Sequence, residues 1–254
     1  MLRENLPDLA DLELVAAVAE KAVGVKQLLR DVARDYAPAV FANSLGAEDM
    51  ALTDMIWSED TQIGVFSLDT GRLPAETYEL MARAERHYGR RLEVFSPRHD
   101  AVQDFVTGFG INGFYDSVEA RKACCHARKV EPLRRALAGK QAWITGLRAA
   151  QSQPREKLKT VSFDAVNNLV KISPLTDWSE REIWAYLRAN QVPYSALHDR
   201  NYPSIGCAPC TRAIQPGEDV RAGRWWWEAP ETRECGLHLV DGTLQRIAKQ
   251  GVGA

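Results

Sequence analysis

The sequence predicts an α/β fold in which a parallel, twisted sheet is flanked by helices. Short apolar runs typical of buried strands occur four times, as AVFANSL, IGVFSLD, RLEVFS and QAWITGL. Helical patterns such as GAEDMALTDMIW follow these runs, and strands that alternate with helices form parallel sheets. The chain has 254 residues, of which 45% are hydrophobic, so it can bury one sizeable core.

Further elements flank this pattern. Residues 6–36 have apolar side chains at helical spacing and predict one or two amphipathic helices. Residues 159–175 predict a hairpin that turns at Asn167 and Asn168. The following segment predicts a helix that begins with a capping box of Ser179 and Glu182 and ends before Pro193.

From Pro203 onward, turn residues dominate and no period is sustained, which favours a site-lining or mobile tail. We therefore expect three regions. These are an N-terminal helical segment at 1–36, a ligand-binding α/β domain with a four-cysteine site at 37–214, and a mobile C-terminal tail at 215–254.

Charge and composition limit the classes of partner that the protein can bind. A net charge of −2 and a pI near 6.2 favour neither nucleic acid nor a membrane surface, so an anion site must be built locally from Arg and Lys. The N-terminus mixes acidic residues into its apolar stretch, unlike a signal peptide, and no run of about 18 apolar residues occurs. These features predict a cytoplasmic protein that binds a small anionic ligand and no membrane.

Polar loops follow three of the predicted strands, where ligands bind in parallel sheets. NSLGAED supplies Ser44, Leu45 and Gly46 before a predicted helix, a place where backbone N–H groups can hold phosphate. An ordinary strand-to-helix turn is the alternative, since no Walker lysine and no GxGxxG is present. The two later loops add further candidates for anion binding, each of which could instead be a surface residue: Asp69, Arg72, Arg148 and Arg155.

The five cysteines fall into two pairs and one single residue. Cys124 and Cys125 lie in a predicted helix, where neighbours project about 100° apart, so both can face one site only with local distortion. Cys207 and Cys210 have chelate spacing. The four thiols predict a metal site holding zinc or an iron–sulfur cluster, and buried cysteines or a redox pair are the alternatives.

Cations accompany the thiols. Arg128 and Lys129 lie four residues after Cys124 and Cys125, on the same helix faces as the sulfurs, which favours an anionic cluster. Arg221 and Arg224 are spaced to point the same way in a helical turn.

Cys235 is the fifth cysteine and belongs to neither pair. It lies beside Gly236 and near His238, on a segment whose sequence pattern does not predict burial. It is either an inert packed thiol or a reactive thiolate.

Seven ordered segments between Phe41 and His238 resemble the assimilatory sulfonucleotide reductases, which act on adenylylsulfate or phosphoadenylylsulfate. They are SLGAEDM, LDTGRLPAETY, CCHARKVEPL, WITGLR, GCAPCTRA, GEDVRAGRWWWE and ECGLH. The resemblance implies an adenine nucleotide α-hydrolase-like fold related to the PP-loop ATPases. The first loop lacks the SGGxDS form of the ATP-cleaving relatives, which counts against adenylation. Ala149 departs from the pattern, because a second basic residue generally follows GLR.

The resemblance also implies a reaction. Members with all four paired cysteines carry one [4Fe-4S] cluster per chain and generally reduce adenylylsulfate to sulfite and AMP, in sulfate assimilation and cysteine biosynthesis. Cys235 is then the nucleophile that attacks sulfur, with Lys129 and His238 beside it in the catalytic group. A separate thioredoxin or glutaredoxin-like dithiol supplies the electrons.

Three alternatives stay open beside this interpretation. One is a reductase of phosphoadenylylsulfate or of both nucleotides. The others are an ATP-dependent thiolation enzyme with a four-cysteine zinc site and a non-enzymatic iron–sulfur sensor, although no nucleic-acid-binding motif is present. A homo-oligomer is compatible with the sequence.

Overall fold

The computed structural model describes residues 10–151, 158–229 and 232. Its centre is a six-stranded sheet in the order β3-β2-β1-β4-β6-β5. All neighbouring pairs are parallel except β5 with β6. The predicted parallel α/β sheet is therefore confirmed, with one antiparallel edge strand. The strands are β1 (Ala39–Ala42), β2 (Gly64–Leu68), β3 (Glu93–Phe95), β4 (Ala142–Ile144), β5 (Val161–Asp164) and β6 (Leu169–Ile172).

Seven α-helices surround the sheet in the described residues. They are α1 (Leu12–Asp35), α2 (Ala47–Ser58), α3 (Ala75–Tyr88), α4 (His99–Phe109), α5 (Val118–Cys125), α6 (Glu131–Leu137) and α7 (Glu180–Ala189). The N-terminal pattern forms one helix, in which Asp11 accepts a hydrogen bond from the Leu14 N–H. No helix in the described ranges combines the length and apolarity needed to cross a bilayer.

Side-chain alternation along the strands divides the core between the two faces of the sheet. Phe41 of β1 joins a large cluster with α1, α2, α3 and α7, whereas its neighbour Val40 faces the other way. Trp143 of β4 lies on that second face, against Leu133 of α6. Helices therefore cover both faces, and the carboxyl ends of β1 and β4 remain open at the point where the strand order reverses.

The predicted hairpin and capping box are both confirmed. The turn between β5 and β6 spans residues 165–168, and Asn168 has a φ of 57° in the left-handed region. Ser179 and Glu182 cap α7 reciprocally, and this helix ends at Ala189, ahead of Pro193.

The helix predicted around the paired cysteines is not continuous. A π-helical turn, His126–Val130, separates α5 from α6, and the Glu131 N–H donates to the His126 carbonyl five residues back. This wider turn begins directly after Cys125. The turn changes the direction in which Arg128 and Lys129 project, whereas Cys124 and Cys125 themselves belong to α5.

Candidate active site

A cavity of about 510 Å³ opens at the carboxyl ends of β1, β2 and β4, where the topology places a ligand. We call it the main cavity. Apolar side chains such as Phe66, Leu73 and Trp143 form part of its wall. Its polar lining includes Ser44, Asp49, Thr70, Lys129, Arg148, His198, Arg221 and Arg224.

The loop between β1 and α2 is held by its own side chains. The buried Asn43 accepts a hydrogen bond from the Leu45 N–H at 2.6 Å and donates to Thr53 at 2.8 Å. Leu45 has a φ of 64°, a strained conformation for a residue with a β-carbon. Its side chain packs into the core and does not line the main cavity. Ser44 and Gly46 do line it.

A carboxylate lies inside this loop. Asp49 Oδ2 accepts hydrogen bonds from the Ser44 N–H at 2.7 Å and from the Ser44 hydroxyl at 2.6 Å. Burial raises the pKa of Asp49 to about 6, although the hydrogen bonds from Ser44 act in the opposite direction. Above that pH the loop therefore contains a buried negative charge.

The adjacent acidic residue neutralises a predicted anion-binding arginine. Glu48 Oε1 lies 2.9 Å from Arg148 Nε and 2.8 Å from Nη2, and it also accepts from Gln151. Burial acts most strongly and would raise the pKa of Glu48, but the charge of Arg148 and the hydrogen bonds that Glu48 accepts together outweigh it, so the pKa lies below its usual value. Arg148 thus lines the main cavity with its charge neutralised by Glu48.

His198 lines the main cavity, although no sequence pattern marks it as a site residue. It is buried, neither ring nitrogen has a hydrogen-bond partner within range, and its ring lies edge-on to Trp184 at 5.2 Å. Burial lowers its pKa to about 4, against smaller raising effects of Glu48 and of the Tyr202 backbone. The imidazole is therefore neutral near pH 7.

The four paired cysteines line one smaller cavity, which we call the cysteine cavity. Cys124, Cys207 and Cys210 are buried and Cys125 is half-buried, and all four are free thiols. Within the described ranges, no three His, Cys, Asp or Glu side chains converge on one metal-ion position. The thiols thus surround a common space without closing on a single point.

Cations reach these thiols from the π-helical turn. Burial raises the pKa of Cys124, and the charge of Arg128 opposes this effect, as the predicted helix spacing suggests. Burial also raises the pKa of Cys210 to about 11, and Lys129 and Arg224 lower it in part. Lys129 lines both the cysteine cavity and the main cavity. One ammonium group can therefore act on both sites.

The loop after β2 connects the two cavities. The Thr70 Oγ1 lies 3.3 Å from Cys207 Sγ, and the Ala208 N–H donates to the Arg72 carbonyl at 2.8 Å. The side chain of Arg72 lines the cysteine cavity and stacks on Phe114 at 5.1 Å. Arg72 does not line the main cavity, where we expected it to bind an anion.

The other predicted residues are distributed differently. Arg221 and Arg224 both line the main cavity, and Arg224 lies against Gly206 and the Trp225 ring. Asp69 accepts hydrogen bonds from the Gly71 N–H and the Tyr78 hydroxyl and lines neither cavity. Three predicted residues lie outside the described ranges: Arg155, Cys235 and His238.

Comparisons with known proteins agree with this architecture. Residues 38–213 match the phosphoadenosine phosphosulfate reductase domain, and the chain belongs to that family. It is 61% identical over 212 residues to an adenosine 5′-phosphosulfate reductase of Allochromatium vinosum, covering 84% of this chain and 83% of that protein. A protein of the same name from Burkholderia cepacia is 52% identical over 227 residues, covering 89% and 91%.

Solved structures confirm the fold class. A phosphoadenylyl-sulfate reductase from Candida auris, in a phosphate complex, has a TM-score of 0.64 at 24% identity and covers 75% of this chain and 90% of that one. An FMN adenylyltransferase from Candida glabrata has a TM-score of 0.56 at 16% identity, with 87% and 76% covered. These likenesses are of the fold alone, and they confirm the expected parallel sheet flanked by helices.

Proposed function

We propose that this protein reduces adenosine 5′-phosphosulfate to sulfite and AMP in assimilatory sulfate reduction. The observation that carries this proposal is the contact between two sites, because a cavity at the strand ends shares Lys129 with a cavity lined by four cysteines. The relatives named adenosine 5′-phosphosulfate reductase, at 49–61% identity, support the same substrate.

The cysteine cavity fits a [4Fe-4S] cluster. Four thiols without disulfides form a complete ligand set for such a cluster. Burial raises the pKa of the Cys124 and Cys210 thiols, and iron bound to their sulfurs would compensate for the negative charge of the thiolates. Cys124, Cys125, Cys207 and Cys210 would hold the cluster through their sulfurs. With its four thiolates, the bound cluster would carry a net negative charge beside Lys129.

Substrate binding is assigned to the cations of the main cavity. Lys129, Arg221 and Arg224 line it and can hold the phosphosulfate group. AMP is a good leaving group that needs little protonation, so these charges stabilise the negative charge that develops on the phosphate. Arg155 is proposed to join them from outside the described residues.

The reaction itself is assigned to the tail, which we propose begins at residue 215. The Cys235 thiolate attacks the sulfate sulfur, the S–O bond to the phosphate breaks, and AMP leaves with the electron pair. The product is Cys235–S–SO3⁻, and His238 is proposed to act beside this thiol. One thiolate of an external dithiol of the thioredoxin or glutaredoxin type then attacks Cys235 Sγ, and sulfite leaves. The second thiol attacks the resulting mixed disulfide, which frees the Cys235 thiolate and leaves the dithiol oxidised to a disulfide. Such dithiols are kept reduced in the cytoplasm, to which we assign the protein.

Sulfite release under anaerobic conditions tests the proposal. With reduced thioredoxin we expect turnover on adenosine 5′-phosphosulfate and at least about 100-fold lower kcat/KM on its 3′-phosphorylated form, a difference of roughly 2.7 kcal/mol in transition-state binding. Comparable turnover of both nucleotides would replace the proposal with a dual-specificity reductase. Activity only on the 3′-phosphorylated nucleotide, or on neither, would overturn it.

A further inference from the structure

The loop between β1 and α2 has the position of a phosphate-binding loop, but several of its hydrogen-bond donors are already bonded to side chains of the protein. The Ser44 N–H and hydroxyl donate to Asp49, and the Leu45 N–H donates to Asn43. A bound phosphate would require such donors at the start of α2. In this structure three of them already have an acceptor.

The Asp49 carboxylate occupies the loop in the manner of a bound anion. It is buried, and Oδ2 receives both hydrogen bonds from Ser44. On its other side Oδ1 lies so close to Gly146 that a β-carbon there would be 2.1 Å away. The Gly146 backbone also favours the ionised form of Asp49. Donors from two different strand-end loops therefore surround this carboxylate.

The charges at this loop also disfavour the binding of an additional anion. Arg148 is the cation next to this loop. Its side chain is 7% exposed and is paired with Glu48. The sequence SLGAED places Glu48 and Asp49 where the SGGxDS form has Asp and Ser, so a carboxylate replaces a neutral hydroxyl at the last position. The loop thus carries the buried carboxylate of Asp49 and the half-buried carboxylate of Glu48, and Arg148 is paired with Glu48.

We propose that Asp49 is a specificity-determining residue whose carboxylate fills the phosphate position of this loop and excludes nucleoside triphosphates and pyrophosphate. This inference deepens the proposed function, and it rests on that function in assigning the phosphosulfate group to Lys129, Arg221 and Arg224. A polyphosphate that entered the loop would meet the carboxylate at close range and would find the Ser44 donors engaged. The protein thereby avoids inhibition by ATP, which shares the adenosine group of its substrate.

Two variants test the proposal in the full-length protein. Asp49→Ser removes the charge and provides a hydroxyl donor, and Asp49→Asn removes the charge at constant size. Asp54→Asn is the matched control, because Asp54 lies on the same helix but accepts hydrogen bonds from Tyr88 and Tyr186. Binding of inorganic pyrophosphate and of magnesium-free ATP is measured by calorimetry at pH 7.5, with circular dichroism to verify folding.

We expect the wild type and Asp54→Asn to bind pyrophosphate no tighter than millimolar. Asp49→Ser should bind it at least about 100-fold tighter, and Asp49→Asn should gain a smaller factor, while affinity for adenosine 5′-phosphosulfate changes far less. Folded Asp49 variants without any gain for pyrophosphate would overturn the proposal. So would a loss of adenosine 5′-phosphosulfate binding without such a gain, because Asp49 would then only position the substrate.

The two proposals fail in different ways. If wild-type protein reduces adenosine 5′-phosphosulfate and the Asp49 variants gain nothing, only this inference is wrong. If the variants gain pyrophosphate binding and the wild type reduces neither sulfonucleotide, the inference about the loop holds and the proposed function is wrong.

Discussion

Glu228 and Arg121 form a buried, bidentate ion pair between residues 107 positions apart in the chain. Arg121 Nε donates to Oε1 at 2.7 Å and Nη2 donates to Oε2 at 2.9 Å, and the two side chains are 1% and 4% exposed. Arg121 also stacks on Trp225 at 4.8 Å and donates to the Thr232 carbonyl. This pair therefore joins the helix of the paired cysteines to the first part of the predicted tail.

Glu228→Gln should destabilise the protein strongly, because it leaves the Arg121 guanidinium buried without its counter-charge. We expect the free energy of unfolding to fall by about 3–5 kcal/mol in denaturant titrations. The control is Glu76→Gln, which breaks a pair with Arg200, a side chain that is 62% exposed. Equal effects of the two substitutions would show that the buried pair has no special role.

Thr70→Val should alter the proposed cluster without removing it. The Thr70 hydroxyl accepts from the Arg72 N–H at 3.2 Å and lies 3.3 Å from Cys207 Sγ. Toward a cluster-bound thiolate, which has no proton, the hydroxyl would be the donor. Hydrogen bonds to cluster sulfurs raise the reduction potential, so we expect a more negative potential in the valine variant with unchanged iron content. Thr70→Ser should retain the wild-type potential, and an equal shift in both variants would contradict this role.

Asp49 should make stability depend on pH in a predictable direction. Its pKa is about 6 in the folded protein and its ordinary value is 3.8, so the folded state binds the proton more tightly. That contribution is complete below pH 3.8 and is lost as the pH rises through 6, a change of roughly 3 kcal/mol. His198 acts in the opposite sense, since its folded pKa is lowered to about 4.

A comparison of Asp49→Asn with the wild type separates the contribution of Asp49 to the pH dependence of stability from that of His198. From pH 4 to pH 7 the stability of Asp49→Asn relative to wild type should rise by roughly 2.4 kcal/mol, measured by urea unfolding at each pH. A difference that stays constant across this range would mean that the carboxyl titrates normally in the folded state.

Lys129→Ala should lose much more activity than iron. The side chain lines both cavities, so its proposed role is to stabilise charge on the substrate beside the cluster rather than to hold the metal. We expect kcat/KM to fall by about 100-fold or more with full iron content. Lys122→Ala, an exposed residue of α5, is the control. A parallel loss of iron and activity would make Lys129 structural.

The sequence predicted those features that depend on local pattern. Strand-end loops, the cysteine pairs and the capping box of Ser179 are periodic or closely spaced. The π-helical turn after Cys125 was not predicted. Contacts between distant residues were not predicted. Thr70 meets Cys207 across 137 positions, and Glu228 meets Arg121 across 107, and no local pattern marks either contact.

The assignments of single charged residues were the least predictable from sequence. Arg72 and Arg148 each follow a strand, as expected, but one stacks on Phe114 at the cysteine cavity and the other is paired with Glu48. Whether an arginine meets a ligand or an internal carboxylate depends on which side chains the fold brings beside it. His198 was missed because its burial against Trp184 arises only in the folded chain.

The most direct test of the account is the mass of the protein after one half-reaction. Without reductant, wild-type protein given adenosine 5′-phosphosulfate should gain roughly 80 Da, the mass of one SO3 group, at Cys235, and reduced thioredoxin should remove it as sulfite. Cys235→Ser should keep its iron and bind the nucleotide but show no gain. Mapping of the added mass to Cys124, Cys125, Cys207 or Cys210, or full turnover by Cys235→Ser, would contradict the account.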